Sequence, residues 1–104
     1  MKYVTLKAAI AAAENRHGLH DIDPTTREML LTIASANMAH TKIRVSDISN
    51  KRIYGTLPTV LTRLQKLVEA GWIERKMDPK DGRVVLLHVT SKTKLIFDKI
   101  SKTL

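Results

Sequence analysis

The sequence predicts a mainly α-helical chain carrying one small β-hairpin, and three observations predict it. From Gly55 to Thr90 a helix-forming stretch, a glycine stop and two strand-like runs around a tight turn follow one another. Ahead of them stand two helix signals and a short connection, and behind them one further amphipathic run. The charge is divided as sharply as the pattern. Residues 1–41 carry four basic and four acidic side chains, whereas residues 42–104 carry fourteen basic and six acidic, so the whole net charge of +8 lies in the second half. Helix, short helix, helix and hairpin is the order of a winged helix-turn-helix. The expected architecture is therefore α+β: a three-helix core plus wing, with extra amino- and carboxy-terminal helices.

Thr5 to His17 reads as the first helix, with Thr5 as a cap, Leu6, Ile10 and Ala13 on one face and Gly18 as its stop. Its five alanines leave a smooth surface that suits packing on the domain or on a second copy, although strong helix propensity alone also explains them. Gly18 to Asp23 reads as a linker. Asp23 followed by Pro24 is a helix start, and the pattern runs to about Ala39 with Met29 or Leu30, Ile33, Ala34, Asn37 and Met38 suggesting burial on more than one side. Thr41 to Val45 has the alternation of a short strand that pairs with the hairpin. Ser46 is placed to cap a brief helix over Asp47 to Lys51 around Ile48, and Ile53 and Tyr54 fill the turn before Gly55.

The next helix begins with Thr56 as cap and Pro58 in the first turn, where a missing N–H costs little. Val60, Leu64 and Leu67 form its core stripe, widened by Val68, while Thr59, Thr62, Arg63 and Lys66 lie opposite. Gly71 ends it. The hairpin follows as Trp72 to Met77, a tip Asp78-Pro79-Lys80-Asp81-Gly82, and Arg83 to Val89. Val85, Leu87 and Val89 share one face of the second strand, and Val84, Leu86 and His88 the other. Trp72 is expected to anchor the wing strand against the helices. After Thr90 a last helix, Ser91 to Leu104, sets Ile96, Ile100 and Leu104 on one face with Leu95 and Phe97 beside them, and Lys92, Lys94, Lys99 and Lys102 in water.

The run Leu64-Gln65-Lys66-Leu67-Val68-Glu69-Ala70-Gly71-Trp72-Ile73-Glu74-Arg75, followed by Asp78-Pro79-Lys80-Asp81-Gly82-Arg83 and then Thr90, resembles the MarR family of bacterial transcription regulators. In that family LxxLVxxGWIER precedes DPxDxR, a strand and a Thr that opens the next helix. The resemblance covers about residues 24 to 100. It implies a DNA-binding regulator of bacterial or phage type, with Arg83 at the place of the family's wing arginine and Asp81 at that of the acidic residue that shapes the wing. It also implies a homodimer. This chain departs from the pattern in the strongly basic Lys51-Arg52 connection, in Thr93 where glycine is common, and in a shorter carboxy-terminal helix.

With 104 residues the chain is expected to be one domain: a helix within 1–20, a winged-helix core over 24–90 and a helix over 91–104. The absence of cysteine excludes disulfides and thiolate metal sites. No apolar run approaches the roughly 20 residues that span a bilayer, so no membrane role and a cytoplasmic location are expected. His17, His20 and Asp21 lie close in sequence but lack further ligands, and no metal or cofactor is assigned. Neither a Gly-rich phosphate loop nor a nucleophile triad is visible, which argues against an enzyme. No small-molecule effector is assigned either.

The function expected is sequence-specific binding of double-stranded DNA by a small transcription regulator that dimerises through its terminal helices. A helix over about 56–70 fits the major groove, where Thr56, Pro58, Thr59, Thr62 and Arg63 are the candidate readers. A wing over about 76–83 lies at the minor groove, where Arg83 responds to groove width and potential and Lys76 and Lys80 meet phosphates. Lys42, Arg44, Lys51 and Arg52 are further candidates for the backbone, and Tyr54 belongs either to the turn core or to a phosphate contact. Asp81 is assigned to holding the wing in shape. The alternative is a winged-helix adaptor that binds protein and has only nonspecific affinity for DNA.

Overall fold

The computed structural model describes residues 1–102 and has the mainly α architecture with one hairpin. Helix α1 covers Lys2–Arg16, so it starts ahead of Thr5. Alanine-rich propensity carries the helix to its own beginning with no side-chain cap, and Thr5, inside the first turn, donates its hydroxyl back to Met1 O at 3.3 Å. Gly18, in the left-handed region at φ 85°, leads into a 3₁₀ turn over Leu19–Asp21, a turn inside the stretch read as linker. His20 Nε2 donates to Ala11 O at 3.1 Å and ties that turn to α1.

Helix α2 spans Pro24–Met38. Asp23 caps it as expected, accepting from Thr26 N at 3.2 Å, and Met29, Leu30 and Ile33 are fully buried. Met38, expected inside, is 81% exposed at the last turn. The strand expected over Thr41–Val45 shrinks to one bridge, Arg44 to Leu86, with Leu87 N donating to Ile43 O at 2.9 Å. The reason lies in Asn37, whose side chain occupies the rest of that edge. Its Nδ2 donates to Leu87 O at 3.1 Å and its Oδ1 accepts from Val89 N at 2.8 Å, so no backbone groups are left there for a longer partner strand.

Helix α3 is Val45–Ser49, one residue ahead of the expected cap. Arg44 occupies the capping position, and the Asp47 carboxylate reaches back to Arg44 N at 2.8 Å, so Ser46 lies within the helix. Arg52 then adopts φ 58°, and the reversal parts the two side chains expected to fill the turn: Tyr54 is buried, whereas Ile53 is 71% exposed. Helix α4 runs Leu57–Glu69 from Thr56. Gly55 is required at φ 109°, where a Cβ would also press on Thr59 at 3.1 Å.

Val60, Leu64 and Leu67 face the core, and α4 ends in a left-handed glycine stop. Gly71 N bonds to Val68 O and Trp72 N to Leu67 O, at 3.0 and 2.9 Å, which satisfies two carbonyls of the last turn. Strands β1 (Ile73–Asp78) and β2 (Asp81–Val89) pair antiparallel, Ile73 opposite Val89, with an irregularity between Met77 and Asp78. Leu87 enters the core while Leu86 is buried beside the Arg44 bridge. Helix α5, Ser91–Ser101, begins at Thr90, which accepts from Thr93 N at 3.2 Å. Ile96, Phe97 and Ile100 pack on the core and Leu95 faces out; Leu104, expected on the same face, lies outside the described residues.

Asn37→Ala removes both partners from the β2 edge and is expected to cost roughly 1–3 kcal/mol, the range for half-buried hydrogen-bonding groups left unpaired. Urea denaturation measures the loss, and hydrogen exchange should show the Val89 amide unprotected. A variant as stable as the parent would contradict this role.

Candidate nucleic-acid interface

Four segments carry the basic side chains of the candidate interface: the α2–α3 connection, the turn after α3, α4 and the hairpin. Each of its charges is either tied by a carboxylate or left free, and the difference follows from local geometry. Arg44 is tied by position in sequence, because Asp47 three residues on accepts from its Nε at 3.3 Å and Nη2 at 3.1 Å. Those bonds, together with the Arg44 backbone N–H, hold the Asp47 carboxyl below its ordinary range. Lys42 is tied across the fold, its Nζ 3.2 Å from Asp78. Asp78 also accepts from Lys80 N at 2.9 Å, which closes the wing turn, and this backbone donor, with Lys42, lowers its pKa.

Along the wing, Lys76 leans on Glu74 at 3.3 Å, and Lys80 is exposed at the tip with no carboxylate of the described residues within ion-pair distance. Arg83 is 92% exposed in its side chain. Asp81 accepts from its backbone N at 3.1 Å and from Nε at 3.3 Å, an arrangement that fixes the direction of the guanidinium and leaves its two terminal nitrogens outward. Arg75 is exposed on β1. Lys51 and Arg52 stand in water after α3, and among the described residues neither has an ion pair. Tyr54 resolves into the core alternative: it is buried, and its hydroxyl lies 2.7 Å from Thr32 Oγ1.

The outer face of α4 differs from the face its sequence suggests. Thr56 occupies the capping position but makes no capping bond; its Oγ1 lies 3.2 Å from that of Thr59. Thr62 donates to Pro58 O at 3.0 Å. Arg63, expected on the water side, is half-buried against the start of α2, where Nη1 donates to Asp23 at 2.5 Å and to Thr26 Oγ1 at 2.8 Å. Its Nε is buried without a partner, a cost that those two bonds offset. Nothing local in the sequence announces this pair, since its members are forty residues apart. The side that remains open shows Leu57, Pro58, Thr59, Leu61, Thr62 and Gln65, with Lys66 and Glu69 toward its end. Leu57 and Leu61 are exposed, which their spacing does not announce: Leu57 stands seven residues before Leu64, on the line of the core stripe, and Leu61 follows Val60 at its edge.

Asp23 thus has two duties, capping α2 and holding α4. The Thr26 hydroxyl, at 2.6 Å, leads the groups that bring its carboxyl down from 3.8 to about 2, with the Thr26 N–H and Arg63 adding to it. Among the described residues no three His, Cys, Asp or Glu side chains converge on a possible metal site, and no helix is long and apolar enough to cross a membrane.

The family model for winged helix DNA-binding domains matches residues 24–93. Among solved structures, YusO from Bacillus subtilis aligns over 97% of this chain and 66% of its own, at 20% identity and TM-score 0.61. A mutant MepR from S. aureus aligns over 88% of this chain and 65% of its own, at 21% identity and TM-score 0.67. The chain therefore spans slightly less than two thirds of the length of either. A mutant MarR from E. coli, complexed with operator DNA, aligns over 97% of this chain and 69% of its own, at 21% identity and TM-score 0.62. These likenesses establish a shared fold. No curated protein sequence matches.

Because the Asp23 carboxyl is depressed, the stability it contributes is complete above about pH 4 and is lost as pH falls from 3.8 toward 2. Asp23→Asn should therefore melt below the parent at pH 7, with the gap closing as both are titrated to pH 2. Equal melting temperatures at pH 7, or a gap that persists unchanged in acid, would contradict the dual role.

Proposed function

The chain belongs to the winged helix DNA-binding domain family, and from that premise we propose that it is a small, sequence-specific transcription regulator acting on double-stranded DNA. In this reading the whole chain works as one domain, its core over residues 24–90 flanked by two terminal helices, and it is a binding protein and not an enzyme, at work in the cytoplasm. The observation that carries the proposal is the arrangement of charge. Lys80 and Arg83 on the wing, and Lys51 and Arg52 in the turn that leads into α4, are exposed, and α4 between them in sequence has an open face of its own.

A helix of about 10–12 Å diameter enters the major groove, which sets the α4 face against base edges. The projecting wing then reaches the neighbouring minor groove, where negative potential favours the Arg83 guanidinium that Asp81 orients. Lys76 and Lys80 belong at phosphates on that side, and Lys42, Arg44, Lys51 and Arg52 on the other. Lys42 and Arg44 reach phosphate only by sharing or leaving Asp78 and Asp47, so they contribute less than Lys51 and Arg52. Thr56, Pro58, Thr59 and Thr62 remain at the reading face, while Arg63 contributes by holding α4 in place.

We also propose a homodimer through the terminal helices. Tyr3, Val4 and Leu6 on α1 and Leu95 on α5 are exposed apolar side chains, and pairing two copies would cover them. Two copies related by a two-fold axis would set their α4 helices about 34 Å apart, one turn of the duplex. The MarR likeness complexed with operator DNA supports this use of the fold.

Titration with mixed duplex DNA should show binding that weakens steeply with salt, because phosphate neutralisation releases counterions. Arg83→Ala is expected to lower affinity by about tenfold or more, the worth of one charge-assisted hydrogen bond, with unchanged circular dichroism. Lys80→Ala should reduce the salt slope by about one. Absence of duplex binding at low salt would refute the proposal. Sedimentation equilibrium should return twice the chain mass, and Val4→Asp with Leu6→Asp should return the single chain; a monomeric parent would refute the dimer alone.

A further inference from the structure

We infer that α4 reads its site mainly through thymine methyl groups, so that the base pairs under the helix are A·T and not G·C. This rests on the DNA-binding reading above and adds to it the class of sequence bound. Among the residues of α4 only Arg63 and Lys66 are basic. Arg63 is turned away from the open face and bonded to Asp23 and Thr26 on α2. Lys66 lies in the last turn, far from the leading end that would enter the groove. No arginine is therefore presented by this helix for the bidentate bond to guanine that is the commonest specific contact in the major groove.

The first two turns offer carbon in its place. Leu57 is 53% exposed and Leu61 42%, one turn apart on the same side, with the Pro58 ring beside them. The threonines add methyls more readily than donors. Thr62 spends its hydroxyl hydrogen on Pro58 O, and the Thr56 and Thr59 hydroxyls face each other. Gln65, the next polar side chain on this side, is bonded to Glu69 at 3.1 Å. In the major groove only one base edge is apolar, the C5-methyl of thymine. An apolar helix face accompanied by the exposed Lys51, Arg52, Lys80 and Arg83 matches a groove whose rims are phosphate and whose floor carries methyls. The wing agrees with the helix, because an exposed arginine is drawn to the narrow minor groove of A-tracts.

The test begins with selection of bound sequences from a random duplex pool, followed by duplexes in which single thymines are replaced by deoxyuridine, which deletes only the methyl. A·T pairs should be enriched under α4. Each replacement there should weaken binding about three- to fourfold, the worth of one buried methyl, while replacements outside the footprint should have no effect. Leu61→Ala, with circular dichroism unchanged, should erase the difference between thymine and deoxyuridine at the pair it covers, and Leu57→Ala should do so one step away. Selected guanines under α4, or equal affinity for both duplexes with strong binding throughout, would overturn this inference and leave the DNA-binding reading intact. Failure to bind any duplex at low salt, with Leu57 and Leu61 instead required for a protein partner, would overturn both.

Discussion

The geometry of the wing depends on one junction, the two residues Gly71 and Trp72 between α4 and β1. Gly71 stops the helix because it tolerates a left-handed φ of 81°, and the stop directs the chain straight into the strand. The freed carbonyls do not go to water. Thr90 Oγ1 donates to Gly71 O at 2.7 Å, Thr93 Oγ1 donates to Trp72 O at 2.6 Å, and Thr90 N donates to Trp72 O at 3.1 Å. The end of α4, the start of β1 and the start of α5 are thereby fastened to each other. Lys92 lies over the Trp72 ring at 5.4 Å and partly shields the junction from solvent. Thr93, fully buried where the resembled family commonly has glycine, supplies one of these bonds.

That junction fixes the hairpin relative to α4, and a second set of contacts fixes α4 relative to the rest. Asp23 and Thr26 hold Arg63, Tyr54 closes on Thr32, and Asn37 takes the free edge of β2. Each uses a polar group on α2 to grip an element that bears on the interface. The basic side chains divide accordingly. Those that build the frame, Lys42, Arg44 and Arg63, are paired with carboxylates, and Lys51, Arg52, Lys80 and the terminal nitrogens of Arg83 remain available to a polyanion. A bare count of positive charge in the second half of the chain hides this division.

The hairpin and the two long core helices were legible because their signals are local. A glycine after a Val-Leu-Leu stripe, Asp-Pro before an apolar run and an Asp-Pro-Lys-Asp-Gly tip each impose their backbone shape within a few residues. What could not be read depends on partners distant in sequence. Arg63 looked like a surface arginine because its acceptor, Asp23, stands forty positions earlier, and Asn37 looked like part of an apolar face because its partners are on β2. The strand at Thr41–Val45 was overdrawn for the same reason, since its edge belongs to Asn37. Ser46 is not the cap, because Arg44 stands at that position and Asp47 provides the bond to its backbone from inside the helix. Of the residues expected at the reading face only Arg63 is turned away, and the open face of α4 also shows Leu57 and Leu61.

The central claim is that α4 and the wing, held by the Gly71–Trp72 junction, form one DNA-facing surface. Backbone amide shifts of the isotope-labelled protein, followed during titration with a selected duplex, test it most directly. The largest changes are expected over Thr56 to Gln65 and Lys80 to Arg83, with small changes on α1. Changes confined to α1 and α5, with α4 and the wing tip unmoved at saturation, would contradict the account.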